Sequence, residues 1–190
     1  MNAPVTPPAS AYFFGGAEEA EQRRTLAVLV DNEPGVLARV IGLFSGRGYN
    51  IESLTVSETE HEAHLSRITI VTKGTPKTLS QIKAQLGRLV PVHKVVDLTV
   101  TAFEAGHEKP IERELALVKV VNAGSDRLES LRLAESFDAS VVDATTGHFI
   151  FELTGRTRKI EQFISILQPL GLVEVVRTGV AALNRGADGL

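Results

Sequence analysis

The chain has 190 residues, of which 43% are hydrophobic and 23% charged, and its formal net charge is -3. These values are typical of a globular protein of one or two domains, and such a charge gives no reason to expect nucleic acid or an anionic membrane as a partner. The sequence contains no cysteine, which excludes disulfides, thiolate nucleophiles and cysteine-based metal sites and fits the cytoplasmic location that we expect.

Residues 1–23 are predicted to form a flexible N-terminal tail, because they are rich in proline, alanine and glycine and then turn acidic. They lack the basic start and continuous apolar core of a secretory signal, and no run in the chain approaches the roughly 18 apolar residues of a membrane span. The tail carries one aromatic patch, Tyr12, Phe13 and Phe14. This patch either docks on a neighbouring molecule or, more simply, is an apolar spot on a mobile tail.

Residues 24–101 are predicted to fold as one βαββαβ unit. An apolar run at residues 26–30 indicates a buried strand, and the polar residues that follow lead to Pro34, which suits the first turn of a helix. The apolar face of this helix is predicted from its spacing to contain Val36, Leu37, Val40, Ile41 and Phe44.

The rest of this unit follows from its apolar spacing and its turn residues. Strands are predicted at residues 51–57 and 65–72, joined by a polar hairpin loop at residues 58–64. A second helix comes next, and a strand over residues 92–100 completes the unit. The stripe of the second helix consists of Leu79, Ile82, Leu86 and Leu89.

The same order of elements then occurs a second time. Residues 102–113 are polar, contain glycine and proline, and are predicted to be a linker. Residues 114–182 repeat the βαββαβ order with Ser125 as a candidate N-cap, and residues 183–190 are predicted to be a frayed C-terminal tail. The predicted stripes of the two helices are Leu128, Leu131, Ala134 and Phe137, and Ile160, Phe163, Ile164 and Leu167.

Two successive units of this kind predict an α+β fold of two tandem ferredoxin-like sandwiches, each an antiparallel sheet with helices on one face. Apolar residues occupy both faces of several strands, so an uncovered second face would leave a large apolar patch. We therefore expect self-association, at least into a homodimer.

Signals of catalysis or metal binding are weak throughout the sequence. No phosphate-binding loop is present, and no GxGxxG follows a predicted strand. His61 and His64 are spaced as two metal ligands could be, but their loop offers no further obvious ligand. Phe149 and Phe151 could stack bases in an RNA-binding sheet, but they share one face with Leu153, which favours a packed core.

The start of the first helix is the strongest candidate binding site. Unpaired N–H groups at residues 35–37 could receive a carboxylate, and Gly35 has no side chain to keep a ligand from the backbone. The carboxamides of Asn32 and Asn50 could bind an ammonium group or a carboxylate, although they could equally cap a helix and close a turn. The apolar residues that could line a pocket are Val36, Leu37 and Ile51.

Residues 25–98 resemble an ACT domain, the βαββαβ module that senses amino acids. The runs TLAVLVDNEPGVLARVIGLFSGRGYNIESLTV, LSRITIV and IKAQLGRLVPVHKVVDL are similar to the regulatory, or small, subunit of acetolactate synthase. The runs RELALVKV and VEVVRTGVAALNRG resemble the C-terminal domain of that family. The resemblance covers residues 24–187 and departs from the family only in the longer tail before Arg23.

The resemblance implies a non-catalytic regulatory subunit in branched-chain amino acid biosynthesis. Such a subunit forms a homodimer through its ACT domains and activates a catalytic large subunit. It also confers feedback inhibition by valine or another branched-chain amino acid. It implies no cofactor in this chain, with thiamine diphosphate, magnesium and FAD in the catalytic partner. The alternative is a free-standing ACT-type sensor that acts on transcription or on another enzyme.

The family binds its effector between two ACT domains, at the first strand–helix loop of one chain and the start of the second strand of the other. Carried onto this sequence, the resemblance assigns valine binding to Asn32, Gly35, Val36, Leu37, Asn50 and Ile51. No catalytic residue and no metal ligand is implied.

Overall fold

The computed structural model describes residues 20–60, 64–107, 109–187 and 189–190, so the patch of Tyr12, Phe13 and Phe14 and the side chain of His61 lie outside the described residues. The first domain has the predicted order of elements. These are strand β1 (Gln22–Asp31), helix α1 (Val36–Arg47), strands β2 (Asn50–Glu60) and β3 (Leu65–Gly74), helix α2 (Pro76–Leu86) and strand β4 (Val92–Asp97).

The four strands of this domain form an antiparallel sheet in the order β2-β3-β1-β4. Helices α1 and α2 pack on one face of the sheet, where alternate residues of β1 and β3 point into the core. The buried apolar core contains Leu26, Val28, Val30, Val36, Val40, Phe44, Ile68, Ile70, Leu79, Ile82 and Leu86. Val36, Val40 and Phe44 of the first predicted stripe and Leu79, Ile82 and Leu86 of the second therefore face the sheet. Leu89, predicted on the second stripe, lies beyond the end of α2 and is only partly buried.

Helix α1 begins later than the sequence predicts. Pro34 and Gly35 form a turn before the helix, and Gly35 has a left-handed backbone with φ of 87°. A left-handed residue cannot continue a right-handed helix, so the helix begins only at Val36. Leu37 and Ile41, predicted on the buried face, are 38% and 37% exposed because they lie at the edge of that face.

A short helix, α3 (Leu98–Glu104), replaces the end of the strand predicted over residues 92–100. The strand ends at Asp97, whose carboxylate accepts hydrogen bonds from the N–H groups of Thr99 and Val100, both at 3.0 Å. Capping of this kind stops a strand and starts a helix. The predicted linker, residues 102–113, therefore begins within α3 and ends within the next strand.

The second domain repeats the fold of the first. It contains β5 (Ile111–Val121), α4 (Gly124–Ser136), β6 (Ser140–Ala144), β7 (His148–Gly155), α5 (Thr157–Leu167), a single 3-10 turn (Gln168–Leu170) and β8 (Leu172–Arg177). The strand order is β6-β7-β5-β8, which corresponds to that of the first sheet. Phe149, Phe151 and Leu153 are buried together, as expected of a packed core rather than a base-stacking surface.

Helix α4 differs from its prediction at its start and along its face. It begins at Gly124 after Ala123, so Ser125 is not the N-cap. Leu128 is 61% exposed, and Ser130 and Ala134 face the sheet instead. The Ser130 hydroxyl donates to the carbonyl of Asp126 and accepts from the Asn122 carboxamide at 2.7 Å. This buried polar contact fixes the rotation of the helix.

The helix-free face of the first sheet is covered by the chain itself. A short strand, β9 (Ala181–Leu183), pairs with residues 111–113 of β5, so the tail predicted for residues 183–190 begins inside an ordered strand. A small apolar cluster forms there from Ala27, Val71, Leu98, Val180 and Ala182, with Leu190 packed against it. Helix α3 and the C-terminal residues thus supply part of the cover that the sequence assigned to a second molecule.

Candidate functional site

The loop between β1 and α1 is held in place by the residues that immediately precede β3 and β4. The N–H of Asp31 donates to the carbonyl of Pro91 at 2.9 Å, and the N–H of Asn32 donates to the carbonyl of His64 at 2.7 Å. The Asn32 side chain itself is exposed. The loop therefore has a defined backbone while its carboxamide remains accessible.

Gly35 is required at this position by its backbone conformation. Its φ of 87° and ψ of -8° lie in the left-handed region, which strains most other residues. A Cβ atom placed on Gly35 would meet nothing within 4 Å. The space beside Gly35 is thus open, as close approach of a ligand would require. The left-handed backbone is a second reason for glycine at this position, which the sequence did not reveal.

The start of α1 offers hydrogen-bond donors to a ligand. Within the described residues no side chain caps this helix, and its first turn contains no acidic residue. The Val36 N–H lies 3.4 Å from the carbonyl of Glu33, which is long for a hydrogen bond, and the Arg39 N–H donates to Gly35 at 3.1 Å. The N–H groups of Leu37 and Ala38 lie between them, and the helix dipole favours negative charge at this end.

Side chains around this helix start divide into buried and exposed ones. Val36 is part of the domain core, so it can offer a ligand only its backbone. Leu37 and Ile41 are one turn apart and partly exposed, and they form an apolar row beside the helix start. An apolar ligand group, or a neighbouring chain, could pack on this row.

The remaining two predicted site residues lie at the start of β2. Gly48 caps the end of helix α1 with a left-handed backbone, φ 66°, and the N–H of Tyr49 donates to the carbonyl of Phe44 at 2.9 Å. Asn50 follows with an exposed side chain, and its carbonyl accepts from the Thr72 hydroxyl at 2.6 Å. Ile51 is half-buried against the core.

Within one chain the six predicted residues form two separate groups. Asn32, Gly35, Val36 and Leu37 lie at the start of α1, whereas Asn50 and Ile51 lie beyond its end. The helix has 12 residues, which corresponds to a length of about 18 Å at 1.5 Å per residue. A single chain therefore does not bring the two groups together.

A polar junction between the two domains was not visible in the sequence. Arg23 contacts Glu52 at 3.2 Å and Glu112 at 3.3 Å, and the Thr25 hydroxyl donates to Glu112. These residues are far apart in sequence, so no local pattern signals their contact. They lie beside a cleft of about 600 Å³ between the domains.

The same junction contains an ion pair whose carboxylate is buried. Arg177 donates to both carboxylate oxygens of Glu114, at 2.8 and 2.7 Å, and the Glu114 side chain is only 4% exposed. The hydrogen bonds to Glu114 raise the pKa of the Arg177 guanidinium above its usual value. A bidentate ion pair of this kind fixes the relative orientation of β5, which carries Glu114, and β8, which carries Arg177.

The described residues show no group of three or more side chains arranged to hold a metal ion. His64, which the sequence paired with His61, is exposed and has a left-handed backbone, and its proposed partner lies outside the described residues. His93 and His148 contact carboxylates, those of Asp31 at 2.6 Å and Asp143 at 2.7 Å. Over the same residues, no helix combines the length and apolar character that crossing a membrane requires.

Comparison with protein families agrees with this division into domains. A family model described as the AHAS small subunit-like ACT domain matches residues 26–94. A second model, described as the small subunit of acetolactate synthase, matches residues 113–186. The class of protein is therefore a small subunit whose first domain is an ACT domain.

Individual relatives are similar over most of their length. The acetolactate synthase small subunit of Haemophilus influenzae is 45% identical over 165 residues, which cover 86% of this chain and 96% of that protein. The small subunit of isozyme 3 from Escherichia coli is 44% identical, with the same shares covered. The crystal structure of the Thermotoga maritima small subunit superposes with a TM-score of 0.77 at 38% identity and covers 88% of this chain and 99% of its own.

The chain belongs to the family of acetolactate synthase small subunits. The family resemblance and the α+β fold expected from the sequence are both confirmed. All of these relatives are small subunits, which agrees with the expected regulatory rather than catalytic role.

Proposed function

We propose that this chain binds and activates the thiamine-diphosphate-dependent catalytic subunit of acetolactate synthase and subjects it to feedback inhibition by a branched-chain amino acid, with valine as the first candidate. Membership of the small-subunit family supports the partner. The observation that carries the effector site is the uncapped start of α1, with Gly35 open to solvent and Leu37 exposed beside it.

The chemistry of this helix start fits a free amino acid. Its α-carboxylate would accept hydrogen bonds from the first-turn N–H groups and interact favourably with the helix dipole. The carboxamide oxygen of Asn32 or Asn50 would accept from the ammonium group. A branched aliphatic side chain would pack on the apolar surface that Leu37 and Ile51 provide.

The proposed site needs two copies of the chain. A single amino acid is much shorter than the distance between the two ends of α1, so it cannot contact both groups in one chain. In a twofold homodimer with antiparallel α1 helices, the start of one helix would lie beside the end of the other and hence beside the partner's β2. The edge position of β2 and the exposed Leu37 and Ile41 support this pairing. Sedimentation that shows only monomer at micromolar concentration would refute it.

Cofactors belong to the catalytic partner in this proposal. Thiamine diphosphate, magnesium and FAD would be bound by the large subunit, and this chain would act on the enzyme through contact alone. Acetolactate formation by the isolated chain would contradict this division of roles.

A matched pair of substitutions at Gly35 tests the effector site. Asn and Asp tolerate a left-handed backbone better than other non-glycine residues and are nearly equal in size, so Gly35→Asn and Gly35→Asp impose similar backbone demands. Only Asp adds a carboxylate where the effector carboxylate would bind. In the reconstituted holoenzyme we expect Gly35→Asp to need about tenfold more valine or more for half-inhibition than Gly35→Asn, a difference of about 1.4 kcal/mol.

Activation of the catalytic subunit without valine is the control for folding and assembly, and it should be similar in the two variants. Valine sensitivity of Gly35→Asp equal to that of Gly35→Asn would refute the placement of the carboxylate at the start of α1.

A further inference from the structure

The C-terminal domain contacts the strand that carries half of the proposed effector site. After β8 the chain crosses to the first domain through residues 178–183, which we call the strap. The N–H of Val180 donates to the hydroxyl of Ser53 in β2 at 2.8 Å. Gly179, with φ of 82°, lies so close to β2 that a Cβ atom there would be 2.9 Å from both the Ser53 and Thr55 hydroxyl oxygens.

The far end of the strap is held by the same sheet. The Arg67 guanidinium in β3 donates to the carbonyl of Ala182 at 2.6 Å. Val180 and Ala182 are buried on the helix-free face against Ala27 and Val71. The strap is thus seated on the first domain by one hydrogen bond at each end and by apolar packing between them.

The near end of the strap is fixed to the second domain. Arg177, the last residue of β8, is held by the buried carboxylate of Glu114. The next residue, Thr178, is hydrogen-bonded to Leu115 of β5: its N–H donates to the Leu115 carbonyl at 3.0 Å, and its hydroxyl accepts from the Leu115 N–H at 3.1 Å. The strap therefore moves with the second domain.

The point of contact on β2 is next to a local irregularity. The register between β2 and β3 shifts between Ile51 and Ser53, which indicates a β-bulge at Glu52. Glu52 contacts Arg23, which also contacts Glu112 of the second domain. A displacement at residues 50–51 thus has two direct routes to the second domain, one through Ser53 and one through the Arg23 junction.

We propose that Ser53 and the strap couple effector binding at the start of β2 to the placement of the second domain. This inference rests on the proposed effector site. An effector that prefers one position of β2 changes the position of the second domain only if the strap follows Ser53, because coupling requires an element whose arrangement both sites share. Ser53 is here a positioning residue, two positions beyond the residues assigned to the effector.

The test compares Ser53→Ala with Ser57→Ala, an identical change at an exposed position of the same strand. Calorimetry on the complete chain measures valine affinity, and a reconstituted assay with the catalytic subunit measures inhibition at saturating valine. We expect Ser53→Ala to bind valine within about threefold of the parent while its maximal inhibition falls by about half or more. Ser57→Ala should match the parent in both measurements.

Gly179→Ala provides a second variant that acts from the other side of the same contact. Its added Cβ would displace either the Ser53 and Thr55 hydroxyl groups or the strap, and a left-handed backbone strains alanine. Either change disturbs the contact, so the variant should lower maximal inhibition while valine affinity is retained, and the double variant should be no worse than the more affected single one.

Full inhibition in both Ser53→Ala and Gly179→Ala, with valine binding intact, would overturn the coupling and leave the effector site standing. Loss of valine binding in Ser53→Ala alone would also overturn it, because Ser53 would then act on the site itself. Absence of binding of valine, leucine and isoleucine by the parent would overturn the proposed effector site, and this result is distinct from either of the others.

Discussion

The two domains share one topology but differ in what covers the helix-free face of the sheet. In the first domain Ala27 and Val71 on that face are completely buried under α3 and the strap. In the second domain Val121 and Val176 on the sheet are 53% and 55% exposed. The order of strands therefore does not determine whether a sheet is buried on one face or on two.

The difference arises from segments outside the repeated unit. Helix α3 follows β4 directly and the strap follows β8, and both pack on the helix-free face of the first sheet, although β9 in the strap also pairs with the edge of β5. Strand β1 accordingly has four consecutive buried residues, whereas β5 alternates between buried and half-buried ones. The domain that carries the proposed effector site is thus tied to the C-terminal end of the chain, and the second domain keeps one sheet face uncovered by described residues.

The largest difference in the free energy of unfolding is expected when valine is replaced by aspartate on the helix-free face of each sheet in turn. Val71→Asp places an unpaired carboxylate between the first sheet and the strap, and we expect it to lower the free energy of unfolding by about 4 kcal/mol or more. Val176→Asp places the carboxylate at an exposed position, and we expect a change within about 1 kcal/mol. Urea unfolding followed by circular dichroism measures both.

Equal destabilisation by these two variants would show that the two faces are covered alike, and it would remove the contrast between the domains. A large loss of stability in Val176→Asp with little loss in Val71→Asp would show that the helix-free face is packed more closely in the second domain than in the first.

A smaller effect on stability is expected from substitutions at the N-caps of α2 and α5, which are equivalent helices of the two domains. Helix α2 is capped by the Thr75 hydroxyl, which accepts from the Thr78 N–H at 3.3 Å, whereas α5 begins after Arg156 with no side-chain cap in the described structure. The backbone angles of Thr75 and Arg156 are nearly the same. We expect Thr75→Ala to cost about 1 kcal/mol and Arg156→Thr to stabilise by about 0.5 kcal/mol.

Thermal unfolding of these two variants and of Arg156→Ala sharpens the comparison. Arg156→Ala should leave the melting temperature nearly unchanged, because the arginine caps nothing. A melting temperature that falls in Arg156→Thr would contradict the view that the start of α5 lacks only a cap.

Local sequence patterns predicted the repeated βαββαβ unit, but they could not predict contacts between residues far apart in sequence. Apolar spacing identified the strands and the helices α1, α2 and α5, because one buried face determines each of them. The same spacing failed at Leu128, where Ser130 forms a buried hydrogen bond that rotates α4. The strap was not predicted: residues up to 182 were assigned to the second domain and residues 183–190 to a frayed tail, because the contact between Val180 and Ser53 joins residues 127 apart in sequence.

The candidate site shows the same limit. The sequence indicated a helix start with free donors and a glycine, and the structure places Gly35 there with a left-handed backbone. The sequence also assigned Val36 to the lining of the pocket, whereas in the structure its side chain belongs to the core. The family resemblance supplied Asn50 and Ile51, since no pattern within one chain relates the start of β2 to the start of α1.

Calorimetric titration of the complete chain with valine, leucine and isoleucine tests the central claim most directly. We predict that at least one of the three binds at about one molecule per chain, because a twofold dimer contains two equivalent sites, and that Gly35→Asp weakens this binding more than Gly35→Asn. Absence of binding by all three amino acids, with a correctly folded parent chain, would contradict the assignment of an amino-acid effector site to the first domain.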